Sequence, residues 1–265
     1  MIQYIFLSHD VDWRRQGAPI EHILARKDRF DDDAIRDVHI KNPYYNIPDI
    51  MSLEEKFGIK TTFFFRTIYE NGDYLDYEDD IQSLIKGGWE IGLHSDPSSV
   101  ESMDKLKDEK MLLENLTRQK ILANRVHYLK SNSELPCKLQ SLGFVYDSSI
   151  KKFRDTIETD DMNYYKIGKL VEFPITLMDA YLFTYMKIEE NDVIDTFDRM
   201  LKMGKRASLD NDFNIISVLW HDNVLKMKGG RMYAKILEYL VSQENVKIVR
   251  GIDLAEIVNT VHSDS

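Results

Sequence analysis

Four short clusters carry side chains able to bind a metal ion or move a proton. The first, "LSHDVD", sets Asp10 and Asp12 two residues apart, so in an extended strand both carboxylates lie on one side. Such a pair divides labour, one carboxylate ligating a cation while the other accepts a proton. The second, "EIGLHSDPSSV", ends a short apolar run in His94; one helical turn later, where a partner histidine would complete a pair, stands Ser98. The third, "NRVHYL", puts Arg125 and His127 on one face of an extended segment, and the fourth, "LWHDN", ends an apolar run in His221. Each cluster alone has an ordinary explanation. A D-x-D pair is also a solvated acidic turn, a lone histidine is also a structural one, and Asp96 with Pro97 is also a helix cap and first turn.

The elements around these clusters make them harder to dismiss. Short apolar runs alternate with amphipathic stretches, the rhythm of a parallel α/β fold. Strands are expected at 2–8, 60–65, 89–93, 125–129, 144–147, 170–175, 215–220 and 247–250. Helices are expected at 47–58, 77–88, 102–122, 190–204, 229–242 and 252–261. Eight strands with intervening helices predict a complete or irregular (β/α) barrel, and a doubly wound open sheet would give much the same rhythm. In a barrel the carboxyl ends of the strands converge on one mouth, where active sites are built. All four clusters fall at strand ends. Segment 13–47, beginning at Trp13, is charged and aromatic; it is either a lid or substrate wall over that mouth or a solvated insertion. No repeat, low-complexity tract or linker divides residues 1–265, so one domain is expected.

Composition narrows the function. The chain is 43% hydrophobic and carries 35 Lys and Arg against 45 Asp and Glu, a net charge of -10. Such a surface repels phosphate backbones, which excludes a nucleic-acid groove. No apolar run approaches the roughly 18 residues of a membrane span. The start, "MIQYIFLSHDVDW", reads as a buried strand and not as a signal peptide. Cys137 is the only cysteine, which rules out an intrachain disulfide and fits a reducing, cytoplasmic setting. The oligomeric state is left open.

Taken in order, the motifs resemble the NodB-homology polysaccharide deacetylases, carbohydrate esterase family 4. "LSHDVD" is similar to that family's first motif in its T-H-D-V-D form, and "MSLEEKFGIKTTFFF" resembles the helix and strand that follow. "IQSLIKGGWEIGLHS" resembles the second motif, with Trp89 where histidine is common. "NRVHYL" sits at the R-P-P-Y position and "SVLWHDN" at the last, histidine-bearing motif. The resemblance implies a distorted (β/α) barrel and metal-dependent removal of an acetyl group from an N-acetylated sugar. It implies Asp10 as general base, Asp12 and His94 as metal ligands and Arg125 as the group that orients Asp10 and lowers its pKa. It further implies that Tyr128 offers a backbone N–H to the oxyanion and that His221 is the general acid. Carboxylate and imidazole donors favour zinc, then iron, cobalt, nickel or manganese.

Two departures bear on competence. Ser98 stands where the family has its third ligand, and His127 stands where it has proline. His127 is read as completing the ligand set, the alternative being that it orders Asp10 or binds substrate. His9, opposite to Asp10 along the strand, is read as packed behind the site. Trp13, Glu172 and Asp179 are expected to meet substrate. Tyr181 and Phe183 read as core, and His22, His39 and His262 as surface or loop residues. The expected partner is a carbohydrate or a sugar-linked small molecule, nucleotide- or lipid-linked, of the kind used in surface-polysaccharide or O-antigen assembly, with which some T-H-D-V-D-type relatives are associated. The competing readings are an inactive deacetylase-like barrel that binds glycan or a partner protein, and a C–N hydrolase acting on a non-sugar amide.

Overall fold

Ten strands form one mixed sheet in the computed structural model, which describes residues 1–207 and 213–261. They are β1 Ile2–Val11, β2 Thr62–Phe65, β3 Glu90–Ser95, β4 Ala123–Val126, β5 Tyr146–Asp147, β6 Tyr165–Ile167, β7 Leu170–Glu172, β8 Leu177–Met178, β9 Phe213–Leu219 and β10 Val246–Val249. The order is β6-β7-β5-β4-β3-β2-β1-β9-β8, with β10 also on β1. Every pairing is parallel except β6 with β7. Long β1 pairs with β9 along Ile2–Ser8. Its other edge is shared by β10 at Gln3–Phe6 and β2 at Ser8–Val11. Between β7 and β8, Phe173 N bonds to Asp147 O and Thr176 N to Ser217 O, so this segment spans from β5 to β9. The sheet thereby curves into the irregular (β/α) half-barrel that the sequence rhythm predicts.

The helices are α1 Ile20–Leu24, α2 Asp32–Arg36, α3 Ile47–Lys56, α4 Glu78–Gly87, α5 Met103–Thr117, α6 Leu135–Ser141, α7 Asp179–Thr184, α8 Val193–Ala207, α9 Tyr233–Val241 and α10 Gly251–Val261. The six expected from periodicity form. α1, α2, α6 and α7 are too short for a 3.6-residue repeat to show in sequence. β6 and β8, of three and two residues, escaped for the same reason. α5 ends earlier than expected, at Arg118 in the left-handed conformation (φ 59°). The strand expected at 125–129 stops at Val126, and the chain turns sharply through Tyr128 (φ 60°) and Leu129 (φ 52°). None of the helices among the described residues is long and apolar enough to cross a membrane.

Side-chain alternation along β1 builds the route to the site. Ile5 and Leu7 face the main core against the surrounding helices. Phe6 faces the other way, into an inner cluster with Phe64, Tyr146, Phe173 and Leu254 of α10. On the Phe6 side, two residues per step, follow Ser8, Asp10 and Asp12, so one strand face climbs from an aromatic floor to a charged mouth. Segment 13–47 packs separately: Ala18, Ile23, Phe30, Val38 and Tyr44 are buried together with Met227.

Candidate functional site

Arg125 is the foundation of the mouth. Its guanidinium is fully buried and lies 4.3 Å above the Phe64 ring. It donates from Nη1 to Ser8 Oγ (2.9 Å) and Asp10 Oδ1 (2.8 Å), from Nη2 to Ser148 Oγ (2.9 Å) and from Nε to Ser148 O (2.9 Å). Burial by itself raises the Asp10 pKa, but Arg125, then His94 and His221, overcome it and hold the carboxyl below its usual value. Ser8 was not anticipated. A polar residue two before Asp10 on a buried strand was the available signal.

Above Arg125, three electron-pair donors meet. His94 Nδ1 lies 2.9 Å from the Arg125 carbonyl oxygen. That nitrogen therefore carries the proton, and Nε2 presents a lone pair. His94 Nε2 is 3.1 Å from Asp12 Oδ1 and 3.1 Å from His127 Nδ1, which is 3.3 Å from the same Asp12 oxygen. Lone pairs this close repel unless a proton or a metal cation lies between them. A tetrahedral cation with ligands at about 2.0 Å has edges of about 3.3 Å, so the triangle fits such an ion. Asp12, His94 and His127 are thus a candidate metal centre. The Asp12 carboxylate, which burial would push up, is held well below its usual pKa by the neighbouring imidazoles of His127, His94 and His221.

His221 faces the triangle from the far side, Nε2 lying 3.6 Å from Asp12 Oδ2. Its Nδ1 lies 2.7 Å from Asp179 Oδ1, and its backbone N–H donates to Asp179 Oδ2 (2.6 Å). Burial disfavours the imidazolium, but Asp179, with Asp12 and Asp10, more than offsets this and pushes the His221 pKa up to about 10. Asp10, Asp12 and His221 also come close enough together to form a second ligand group.

The remaining expected residues divide. Two cavities meet at Asp12 and His221, one of about 620 Å³ and one of about 360 Å³. Trp13 and Asp179 line the larger, although Asp179 commits both oxygens to His221. Tyr128 lines the smaller and is 82% exposed. Glu172 does not reach the mouth. It lies opposite Asp147 in the β5–β7 register, fully enclosed, and accepts from Ile150 N (3.1 Å). Burial and the Asp147 charge push its pKa well up. Ser98 turns away from the triangle and donates its hydroxyl to Asp96 Oδ1 (2.7 Å). His9 packs behind the site between Trp220 O (2.6 Å) and Glu54 Oε1 (2.9 Å). His22, expected at the surface, packs half-buried on Trp13, their ring centroids 4.7 Å apart. His39 is exposed, and His262 lies outside the described residues.

Comparison with family models and with curated proteins finds no match. Solved structures do match over nearly the whole chain. A Mycobacterium smegmatis protein assigned as a polysaccharide deacetylase superposes with a TM-score of 0.66 at 18% identity, covering 98% of this chain and 91% of its own. A Pseudomonas aeruginosa protein of the same assignment gives 0.65 at 13%, covering 96% and 90%. An allantoinase gives 0.67 at 16%, covering 96% and 89%. With its curved mixed sheet and strand ends gathered at one mouth, the chain has the NodB-type fold of the polysaccharide deacetylases.

Proposed function

We propose that the protein is a metal-dependent N-deacetylase that removes an acetyl group from an N-acetylated sugar or glycan intermediate. One observation carries this reading. The Asp12, His94, His127 triangle is flanked on one side by a carboxylate clamped to a buried arginine and on the other by an imidazole backed by a carboxylate. Asp12, His94 and His127 would hold a divalent cation, zinc first and iron, cobalt, nickel or manganese after it, which when bound would supply Lewis acidity toward an amide carbonyl and water. Asp10, ionised beside Arg125, takes the proton of the attacking water as its oxygen bonds to the carbonyl carbon. In this reading Tyr128, on the wall of the smaller cavity, offers its backbone N–H to the oxyanion. His221 gives its proton to nitrogen as the C–N bond breaks, leaving acetate and a free amine.

Metal analysis of the purified protein, with acetate release measured over N-acetylated sugars, tests the reading. Near-stoichiometric metal is expected in the parent and in Ser98→Ala. In His127→Ala the affinity should fall more than about a hundredfold, since losing even a partner behind a ligand costs about 10–100-fold. Equal metal in parent and His127→Ala would remove His127 from the ligand set.

The acid is tested separately. Asp179 holds the His221 proton on, so Asp179→Asn should lower the pKa of the imidazole. The protonated form would then disappear at a lower pH, moving the alkaline limb of kcat/KM down by about 1–3 units. An unmoved limb would exclude His221 as the proton donor. A second reading keeps the chemistry and exchanges the sugar for a non-sugar amide, in line with the allantoinase likeness. Ammonia or amine release without acetate would favour it.

A further inference from the structure

The larger cavity continues from His221 and Asp12 to a wall of opposite character to the rest of the protein. Arg26, Arg29 and Lys228 line it, with Asp28 as the one carboxylate on that side, in a chain of net charge -10. Among the described residues none of these three cations is ion-paired to a carboxylate. Arg26 Nη1 donates to His22 O (3.2 Å) and Lys228 Nζ to Asp28 O (2.9 Å), while the Arg29 guanidinium has no partner among the described residues. The wall is nevertheless built on a fixed frame. Lys228 N bonds to Arg29 O (2.7 Å), Phe30 bridges Met227, and both of these side chains are buried with Ile23 and Tyr44. Arg26, Arg29 and His22 share the cavity wall, and burial, then the two arginines, lower the pKa of His22. Trp13 adds an aromatic surface beside His22.

Unpaired arginines on a rigid rim are suited to a doubly charged oxyanion, which they bind through several charge-assisted hydrogen bonds. The cavity falls within the roughly 300–1,000 Å³ of small-molecule sites. We propose that this wall is an anion subsite holding a phosphate group of the substrate. The sugar presented to Asp12, His94 and His127 would then be a sugar phosphate or a nucleoside-diphosphate sugar and not a segment of neutral polymer. The proposal rests on the deacetylase reading for the identity of the sugar; the subsite itself is tested independently.

Calorimetric titration of the metal-loaded protein with pyrophosphate, uridine diphosphate and glucuronate tests it. The two phosphates should bind, and more weakly as salt rises. Arg29→Ala and Lys228→Ala should each weaken them by about tenfold or more, the worth of a charged hydrogen bond, while His127→Ala leaves them bound. Acetate release from neutral N-acetylglucosamine by the parent protein reads the deacetylase activity apart from the subsite. A missing acetate signal alongside arginine-dependent phosphate binding would therefore count against the deacetylase reading and for the subsite. Phosphate binding that survives both cation variants but vanishes in His127→Ala would put the anion on the metal and overturn the subsite. Tighter binding of glucuronate than of pyrophosphate, or no binding at millimolar concentration, would also overturn it.

Discussion

Asp10→Asn is expected to lower kcat by about 10²–10⁴-fold, the contribution of a positioned general base, without releasing the metal. Asp10 Oδ1 takes Arg125 Nη1 at 2.8 Å, and the carboxyl is held below its usual pKa, so it is ionised and able to accept a proton near neutrality. Asparagine has the same shape and its carbonyl oxygen still accepts from Arg125, but it cannot take a proton from water. The triangle of Asp12, His94 and His127 is untouched by this change. Turnover and metal content measured together give the test its edge, because Asp10 also belongs to the second group, with Asp12 and His221. Metal lost from Asp10→Asn but kept in His127→Ala would assign the ion to that group. Normal turnover in Asp10→Asn would remove Asp10 as the base.

Arg125→Met is expected to destabilise the fold by about 3–5 kcal/mol, the cost of breaking a buried ion pair by removing one partner. That is a large share of the roughly 5–15 kcal/mol that holds a typical protein folded. Methionine fills similar space above Phe64 but leaves Ser8 Oγ, Asp10 Oδ1 and both Ser148 oxygens without their donor. Adding Asp10→Asn should recover at least about 1 kcal/mol, because the uncompensated buried charge is then gone. Urea denaturation of the single and double variants measures this. Strictly additive losses would mean that the 2.8 Å contact carries no coupling energy.

The order of the elements was readable because the periodicities that reveal it are local. "IQYIFLS" and "IISVLW" are largely apolar runs and become β1 and β9, neighbours that are mostly buried and paired along both edges. The same local character made α6, α7, β6 and β8 invisible, since six or seven residues, or two or three, carry too few repeats to stand out. The site was legible in kind: Asp10, Asp12, His94, Arg125, His127 and His221 were all visible as chemistry at strand ends. Asp179 was visible as a carboxylate near the mouth, but its bonds to His221 were not. Glu172 has the same chemistry in sequence, and a pairing across β5 and β7 takes it out of reach.

The sequence by itself determined an α/β chain whose apolar runs end in metal-capable and proton-transferring residues, because run length, alternation and donor type are properties of a few consecutive positions. Only the tertiary structure decided which donors meet. β4 ends at Val126 and the backbone turns left-handed at Tyr128 and Leu129, which brings His127 Nδ1 to 3.1 Å from His94 Nε2. The basic wall was equally out of reach of the sequence. Arg29 and Lys228 lie 199 positions apart, and what joins them is a backbone hydrogen bond between a segment near the start of the chain and a loop near its end.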